Sequence, residues 1–271
     1  MGPLLTLALA TRMRAALGAG EPTLVCSMDL NRSTETVELR AQTWTWRSRS
    51  FPYPARLKER TIYHWTEDGF AAASRYSSAL IKLIPTDWGP PTFEIDGIKM
   101  LPSAHVSPYD DAERKVALIE PRGKAILDTC GGLGYFAAWC LAGGALGIVS
   151  FEKNPDVLWL RSLNPWSPAA DSRLALIEAD AVAAVARLET GSMDAILHDP
   201  PRFGIAGDLY SLGLYAEFAR VLRRRGRLFH YTGTPNKLTS GRDVPREVAA
   251  RLQRAGFGTD YRSDGILAVR R

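Results

Sequence analysis

The sequence predicts an α/β chain, a doubly wound and mostly parallel sheet preceded by a small β-rich or α+β region. Three observations carry this. From about residue 109 onward, short apolar runs alternate with stretches of helical period, the pattern of a parallel sheet covered on both faces. Before residue 100 the runs are short, rich in Val, Ile, Thr, Tyr and Trp, and separated by turn residues, which reads as antiparallel strands. Between the two, Gly131, Gly132 and Gly134 follow the first strand of the alternating region and open a helix. A length of 271 residues, 46% hydrophobic and 23% charged, suits a larger domain with a smaller neighbour, divided here as 1–104 and 105–271.

The elements follow in order. Residues 2–10 are apolar, and a first helix runs through Leu17 to a stop at Gly18. Arg12 and Arg14 come after the apolar run, the wrong order for a secretory leader. Strands are expected at 25–30, 35–45, 60–65, 70–74, 80–83 and 93–100, the last turning at Asp96-Gly97. A helix at 110–119 opens the alternating half. Strand 125–128, helix 135–142, strand 146–152, helix 156–163, strand 174–180 and helix 181–188 come next. They are followed by strand 194–198, helix 209–224, strand 227–231, helix 245–255 closed by Gly256, and strands 257–261 and 265–270.

Composition excludes a collagen, a coiled coil and wholesale disorder. No run reaches 18 apolar residues, so no spanning helix and no membrane partner are expected. Cys26, Cys130 and Cys140 form no CxxC pair. A disulfide framework and a metal site are therefore not expected, and a reducing, cytoplasmic setting is. The net charge of +5 divides almost evenly between the two halves, so it permits an anionic partner without requiring one.

In such sheets ligands bind beyond the carboxyl ends of the strands, and each motif below falls at one. Asp128-Thr129-Cys130-Gly131-Gly132-Leu133-Gly134-Tyr135 joins strand 125–128 to its helix. Glycines there admit positive φ and close approach of a ligand, and the helix start offers amide donors. Glu152 ends the next strand, 24 residues after Asp128, placed to accept hydrogen bonds from two ribose hydroxyls. Gly132-Leu133-Gly134-Tyr135-Phe136-Ala137 also fits the dinucleotide fingerprint. An acid directly before the glycines favours S-adenosyl-L-methionine, whose ammonium it would face. Asp180 ends the third strand, where it can accept an adenine amino group, cap the following helix, or both.

His198-Asp199-Pro200-Pro201-Arg202-Phe203 follows the fourth strand. The prolines end the strand and stiffen the loop. The Asp199 carboxylate and the Pro200 carbonyl can accept both hydrogens of an amino group and aim its lone pair at an electrophile, which is catalysis by positioning and electrostatics. Phe203 offers an apolar face to a planar acceptor.

On these residues, the stretch from about 109 to 271 resembles the class I S-adenosylmethionine-dependent methyltransferases, whose fold is Rossmann-like. DTCGGLGY at 128–135 is similar to their first motif, and DPPR at 199–202 resembles the Asp/Asn-Pro-Pro-aromatic motif of enzymes that methylate amino or amide nitrogens. LIPT, PTFEIDGIKM, LNPWS, HDPPRFGIAGDLYS and LFHYTG resemble a group of predicted archaeal methyltransferases, from about residue 22 to the end. The resemblance implies that Asp128, Cys130, Gly131, Gly132, Gly134, Glu152, Lys153, Asp180, Ala181 and Tyr109 hold the cofactor. It gives Asp199, Pro200 and Phe203 the catalytic roles. Two departures stand out. Arg202 replaces the motif's aromatic, which suits a phosphate or carboxylate on the acceptor, and Lys153-Asn154 follow Glu152 where an Asp is frequent.

The remaining signals are weighed against plain structural readings. The run from His105 to Asp111 lines the methionine end of the cofactor or simply caps a helix. Asn164-Pro165-Trp166 reads as a helix stop with a packed Trp. His198 and His230 read as satisfied core histidines, and Arg223, Arg224 and Arg225 as the cationic end of a helix. Trp44, Trp46 and Trp65 interleave with Arg40, Arg47 and Arg49, as in single-strand binders, although Trp44 and Trp46 share one strand face. The chain is thus expected to be a nitrogen-directed methyltransferase with RNA a candidate acceptor. The alternatives are a small amine or protein acceptor, an NAD-linked oxidoreductase and a cofactor-binding scaffold.

Overall fold

Tight two-residue turns build the N-terminal region. Its elements are β1 (Leu4–Leu5), α1 (Leu7–Gly18), β2 (Thr23–Cys26), β3 (Glu35–Leu39), β4 (Thr43–Trp46), β5 (Arg49–Pro52), β6 (Tyr63–Thr66), β7 (Gly69–Ala72), β8 (Ser74–Tyr76), β9 (Leu80–Ile84), β10 (Thr92–Ile95) and β11 (Ile98–Lys99). They form three antiparallel sheets, ordered β1-β6-β7, β2-β3-β4-β5 and β11-β10-β9-β8. At Arg47-Ser48 and at Asp96-Gly97 both turn residues have positive φ, the geometry in which a two-residue hairpin turn matches strand twist. The first of these turns splits off β5, which the sequence reading missed because Arg-Ser-Phe-Pro carries no alternating apolar pattern. The run 35–45 is likewise two strands. The first helix starts later than its apolar run suggests. Leu4 and Leu5 pair with β6, and Thr6 caps α1 by accepting from Leu9 N at 3.2 Å.

The computed structural model describes residues 2–233, 243–262 and 264–271. Two units are present, Met1–Tyr109 with Trp159–Trp166, and Asp110–Leu158 with Ser167–Arg271. The first unit's core is aromatic. Trp44 is fully buried and stacks on Phe51 with ring centroids 4.7 Å apart, and Phe51 meets the edge of Trp65 at 5.0 Å. Met13, Val37, Leu39 and Trp46 complete the cluster. This corrects the single-strand-binding reading of Trp44 and Trp46, because the face they share is the buried one. Trp46 Nε1 donates to Glu35 at 2.9 Å, and Arg47 donates to the same carboxylate. Segment 159–166 belongs to this unit. Trp159 carries the Arg75 guanidinium 4.0 Å from its ring centroid, and Trp166 Nε1 donates to the Leu30 carbonyl at 2.9 Å. Asn164 Oδ1 accepts from Trp166 N at 3.1 Å, so the Asn-Pro-Trp string is a helix stop with a packed Trp.

Helix α2 (Pro108–Ile119) has proline in its first turn, followed by Asp110 and Asp111, both favourable there. Then come β12 (Ala125–Asp128), α3 (Tyr135–Ala142), β13 (Gly147–Glu152), α4 (Pro155–Leu163), β14 (Leu174–Glu178), α5 (Ala181–Val185), β15 (Met193–His198), a 3-10 turn at Gly207–Tyr210, α6 (Leu212–Val221), β16 (Leu222–Tyr231), α7 (Val244–Arg254), β17 (Phe257–Arg262) and β18 (Gly265–Arg270). The sheet order is β14-β13-β12-β15-β16-β18-β17. The first five strands are parallel, and β18 is antiparallel to both β16 and β17. From β12 the chain builds outward to β14, then returns to β12's other side with β15. That reversal opens a crevice at the carboxyl ends of β12 and β15, the place where doubly wound sheets bind ligands.

α5, α6 and α7 bury Val185, Phe218, Val221, Val248 and Leu252 with Leu127, Ile196 and Leu228 of the strands. Each such side chain contributes about 1.5–3 kcal/mol over its exposed state. One expectation is corrected here. α6 ends at Val221, and Arg223 to Arg225 begin β16 instead of ending a helix. Arg223 reaches Asp194 at 2.6 Å and the Gly191 carbonyl at 3.0 Å, and Arg225 takes a positive φ before Gly226. These partners outweigh the cations' preference for a helix end, and pairing with β15, made at Leu222, resumes at Arg227. Among the described residues no helix is long and apolar enough to cross a membrane, and no group of three His, Cys, Asp or Glu side chains can hold a metal ion.

Candidate functional site

The loop after β12 is fixed by its neighbour strand. Gly131 N donates to the Phe151 carbonyl at 2.7 Å, and Gly134 N to the Gly131 carbonyl at 2.7 Å. Gly132 N donates to Glu152 Oε2, and Asn154 N to Glu152 Oε1, each at 2.9 Å. The loop thereby orients the strand-end carboxylate. Gly134, at φ 83°, is the cap of α3, a left-handed position that costs any other residue roughly 1–2 kcal/mol. The first amides of α3 have no acceptor within the helix and carry its positive end.

Asp128 is 1% exposed, and its Oδ2 accepts from Ser150 Oγ at 2.9 Å. Asp180 caps α5, accepting from Val182 N at 2.9 Å. Its Oδ2 lies 3.4 Å from Lys153 Nζ, and Ala181, buried, starts the helix. Burial, then the charges of Glu152, Asp128 and Asp199, pushes the Cys130 thiol well up, against its bond with Thr129. Tyr109 belongs to the first unit, where its ring lies 5.3 Å from that of Trp166. Ser107 Oγ accepts from Tyr109 N at 3.2 Å, the helix-cap reading of that run.

The loop after β15 is tied to the loop after β12. Thr129 N donates to the Leu197 carbonyl at 3.1 Å, and the Thr129 hydroxyl is 2.6 Å from His198 Nδ1. His198 Nε2 is 2.8 Å from the Leu209 carbonyl. A carbonyl only accepts, so Nε2 carries the proton and Nδ1 accepts from Thr129. By the same logic His230 donates from Nδ1 to the Tyr231 carbonyl at 2.8 Å and accepts at Nε2 from Tyr215 at 2.7 Å. Burial pushes His198 down to about 4 and His230 well below its ordinary value. Both are satisfied, neutral core histidines.

Pro200 is buried. The Tyr210 hydroxyl donates to the Pro201 carbonyl at 3.0 Å, which pins the double proline. Arg202 is exposed, and its carbonyl accepts from Ile205 N at 2.8 Å. Phe203 is half-buried, 5.3 Å from the Tyr210 ring and edge-on to it, so part of its surface belongs to the core.

Asp199 has a partner that the sequence reading missed. Lys115 Nζ lies 3.1 Å from Asp199 Oδ2, 2.8 Å from Asp111 Oδ2 and 4.0 Å from Asp264 Oδ2. The lysine side chain is 4% exposed, and its ammonium stands 3.9 Å from the Tyr231 ring centroid. Burial disfavours its charge, but Asp199 and Asp111 outweigh that and raise its pKa. Burial raises Asp199 against the opposing pull of Lys115. Nothing local in the sequence singles it out. On α2, Asp111 and Lys115 flank the apolar stripe Ala112, Val116 and Ile119, but an Asp–Lys pair four residues apart usually reads as a solvent-facing pair.

No protein-family model matches the chain. The "Uncharacterized protein MJ1233" of Methanocaldococcus jannaschii is 39% identical over 213 residues, 78% of this chain and 73% of that protein. Spermidine synthase from Thermotoga maritima matches with a TM-score of 0.57 and 18% identity, over 73% of this chain and 72% of that one. An S-adenosylmethionine-dependent methyltransferase from Mesorhizobium loti matches at a TM-score of 0.44 and 16% identity, over 60% of this chain and 100% of that one, a likeness too slight to argue from. The chain shares the fold of spermidine synthase, and it belongs to the family of the M. jannaschii protein MJ1233.

Proposed function

We propose that the protein is a transferase that binds S-adenosyl-L-methionine and passes its methyl group to an amino or amide nitrogen. The observation that carries this is the meeting of two loops at the strand-order reversal, the glycine loop after β12 and the Asp-Pro-Pro loop after β15, joined through Thr129 and His198. The residues fit the cofactor. Gly131, Gly132 and Gly134 offer backbone without side chains in the way, and Cys130 lines the same loop. Glu152, steadied by two amides, suits the ribose hydroxyls, with Lys153 beside it. Asp180 and Ala181 suit the adenine edge. Asp128, buried beneath the loop, supplies negative charge under the methionine ammonium. When bound, S-adenosyl-L-methionine supplies a methyl carbon on a sulfonium, which departs as a neutral thioether once a nitrogen lone pair takes that carbon.

Asp199 and the Pro200 carbonyl accept the two hydrogens of the acceptor nitrogen and hold its lone pair in line. The nitrogen's surplus proton leaves to water after transfer. Phe203 borders the acceptor, and Arg202 meets a negative group on it. The carboxylates of Asp111, Asp199 and Asp264 around one lysine favour a small amine or a protein group over an RNA phosphate. The core positions of Trp44 and Trp46 remove the aromatic support for RNA. The spermidine synthase fold is in keeping with an amine acceptor.

Calorimetry with S-adenosylhomocysteine and with NAD tests the cofactor. Binding of the first and not the second is expected, and the reverse result returns the glycine loop to a dinucleotide. Tritium from labelled S-adenosyl-L-methionine, sorted into RNA, protein and metabolite fractions, identifies the acceptor. Asp199→Ala should retain S-adenosylhomocysteine binding and lose transfer by about a hundredfold or more.

A further inference from the structure

We propose that Lys115 is a positioning residue for Asp199, gripping one carboxylate oxygen from α2 so that the other is held ready for the acceptor nitrogen. Its purpose rests on the transfer reading above, and its parts rest on geometry. α2, the loop after β15, the end of β16 and the turn between β17 and β18 all converge on one ammonium, through Asp111, Asp199, Tyr231 and Asp264.

Stability does not account for this arrangement, since buried ion pairs seldom stabilise more than apolar side chains of the same volume. A carboxylate on a loop otherwise turns about two side-chain torsions, and one charge-assisted bond to a lysine fixed on a helix removes that freedom. Catalysis by positioning depends on this, because a misplacement of about 1 Å costs on the order of a hundredfold.

The titratable and charged groups around Asp199 are Lys115, Asp111, Asp264, Tyr231 and, from the glycine loop, Cys130. Arg114 holds the outer oxygen of Asp111 at 3.0 Å. Among the described residues, Lys115 supplies the cation in contact with Asp199, while burial, Asp111 and Asp264 oppose its ionisation. Removing the lysine therefore raises the pH at which Asp199 ionises, which reports the contact, while a fall in kcat at constant KM, partly restored by Lys115→Arg, reports positioning, which a merely structural lysine would not give.

The test is a carbon-13 carboxyl titration of the full chain. The Asp199 signal is identified by its loss in Asp199→Asn, and wild type, Lys115→Met and Lys115→Arg are compared. The midpoint of Asp199 is expected to rise by roughly one unit or more in Lys115→Met and to return most of the way in Lys115→Arg. On the acceptor fraction that wild type labels, Lys115→Met should lower kcat by about ten- to a hundredfold. The KM for S-adenosyl-L-methionine should hold within about threefold, and Lys115→Arg should recover part of the rate. Should Lys115→Met not fold, Lys115→Gln keeps volume and a donor without charge and is expected to move Asp199 the same way. An Asp199 midpoint that stays put, or an undiminished kcat, overturns the proposal. If Asp199 shifts as expected while wild type binds no S-adenosylhomocysteine, the pairing stands and the transfer reading falls.

Discussion

The two units differ in what dominates their interiors. The first fills its interior with rings: Trp44, Phe51 and Trp65 stack and edge against one another, and its arginines pair outward with Glu35 and Glu38. The second fills most of its interior with aliphatic and aromatic side chains, yet sets a lysine among carboxylates at its strand ends. Ring burial accounts for itself, since aromatic side chains bury large areas and contribute further through their geometry. Charge burial does not, because desolvation consumes most of what the pair returns. The lysine cluster of the second unit thus carries a cost whose compensation is sought in chemistry.

The largest expected effect breaks the first side of this contrast. Trp44→Ala should lower stability by about 3–5 kcal/mol, as large-to-small changes of buried aromatics do, read as a shift in the denaturant midpoint. Trp44→Phe should cost far less, since the buried indole nitrogen has no hydrogen-bond partner among the described residues. If the two substitutions cost the same, ring packing is not what holds that unit.

Acid probes the second unit. His198 titrates near 4 when folded and near 6.5 when unfolded. Between these values the unfolded chain binds the extra proton, so stability falls as pH drops from about 6.5 to 4, on the order of 3 kcal/mol in all. His230 acts in the same direction. Thermal melts across that range in wild type and His198→Gln check this; a wild-type curve flat over the whole window would contradict the neutral pair.

Gly134→Ala should lose roughly 1–2 kcal/mol through its left-handed backbone and weaken S-adenosylhomocysteine binding by more than the stability loss alone implies. Calorimetry beside a melt separates the two. Smallest of all, Arg40→Ala should leave the unfolding midpoint in place, because the Arg40–Glu38 contact is solvent-exposed and 3.6 Å long. A measurable drop would mean that the first unit too depends on its charges.

Legibility in the sequence followed the strength of the local pattern. Ala125–Asp128, Tyr135–Ala142 and Gly265–Arg270 were read to the residue, because apolar runs there meet glycine or acid boundaries without ambiguity. β5 and the start of β16 were not: Arg-Ser-Phe-Pro takes its extended form from β4 across the sheet and not from its own period, and Arg223 to Gly226 lie at a register shift between the pairings of Leu222 and Arg227 with β15. The glycine loop, Glu152, Asp180 and the Asp-Pro-Pro segment announced themselves by spacing. Lys115 did not, because what makes it unusual is Asp199, 84 positions away, and nothing local marks a lysine as buried.

The sulfur in the glycine loop has a consequence for handling the protein. Thiols react as thiolates, and Cys130, half-buried beside three acids, resists becoming one at neutral pH. Cys26 and Cys140 are buried and held up as well. Alkylating reagents should therefore pass over the native chain slowly, and a cysteine engineered onto its surface would serve as a nearly background-free labelling point.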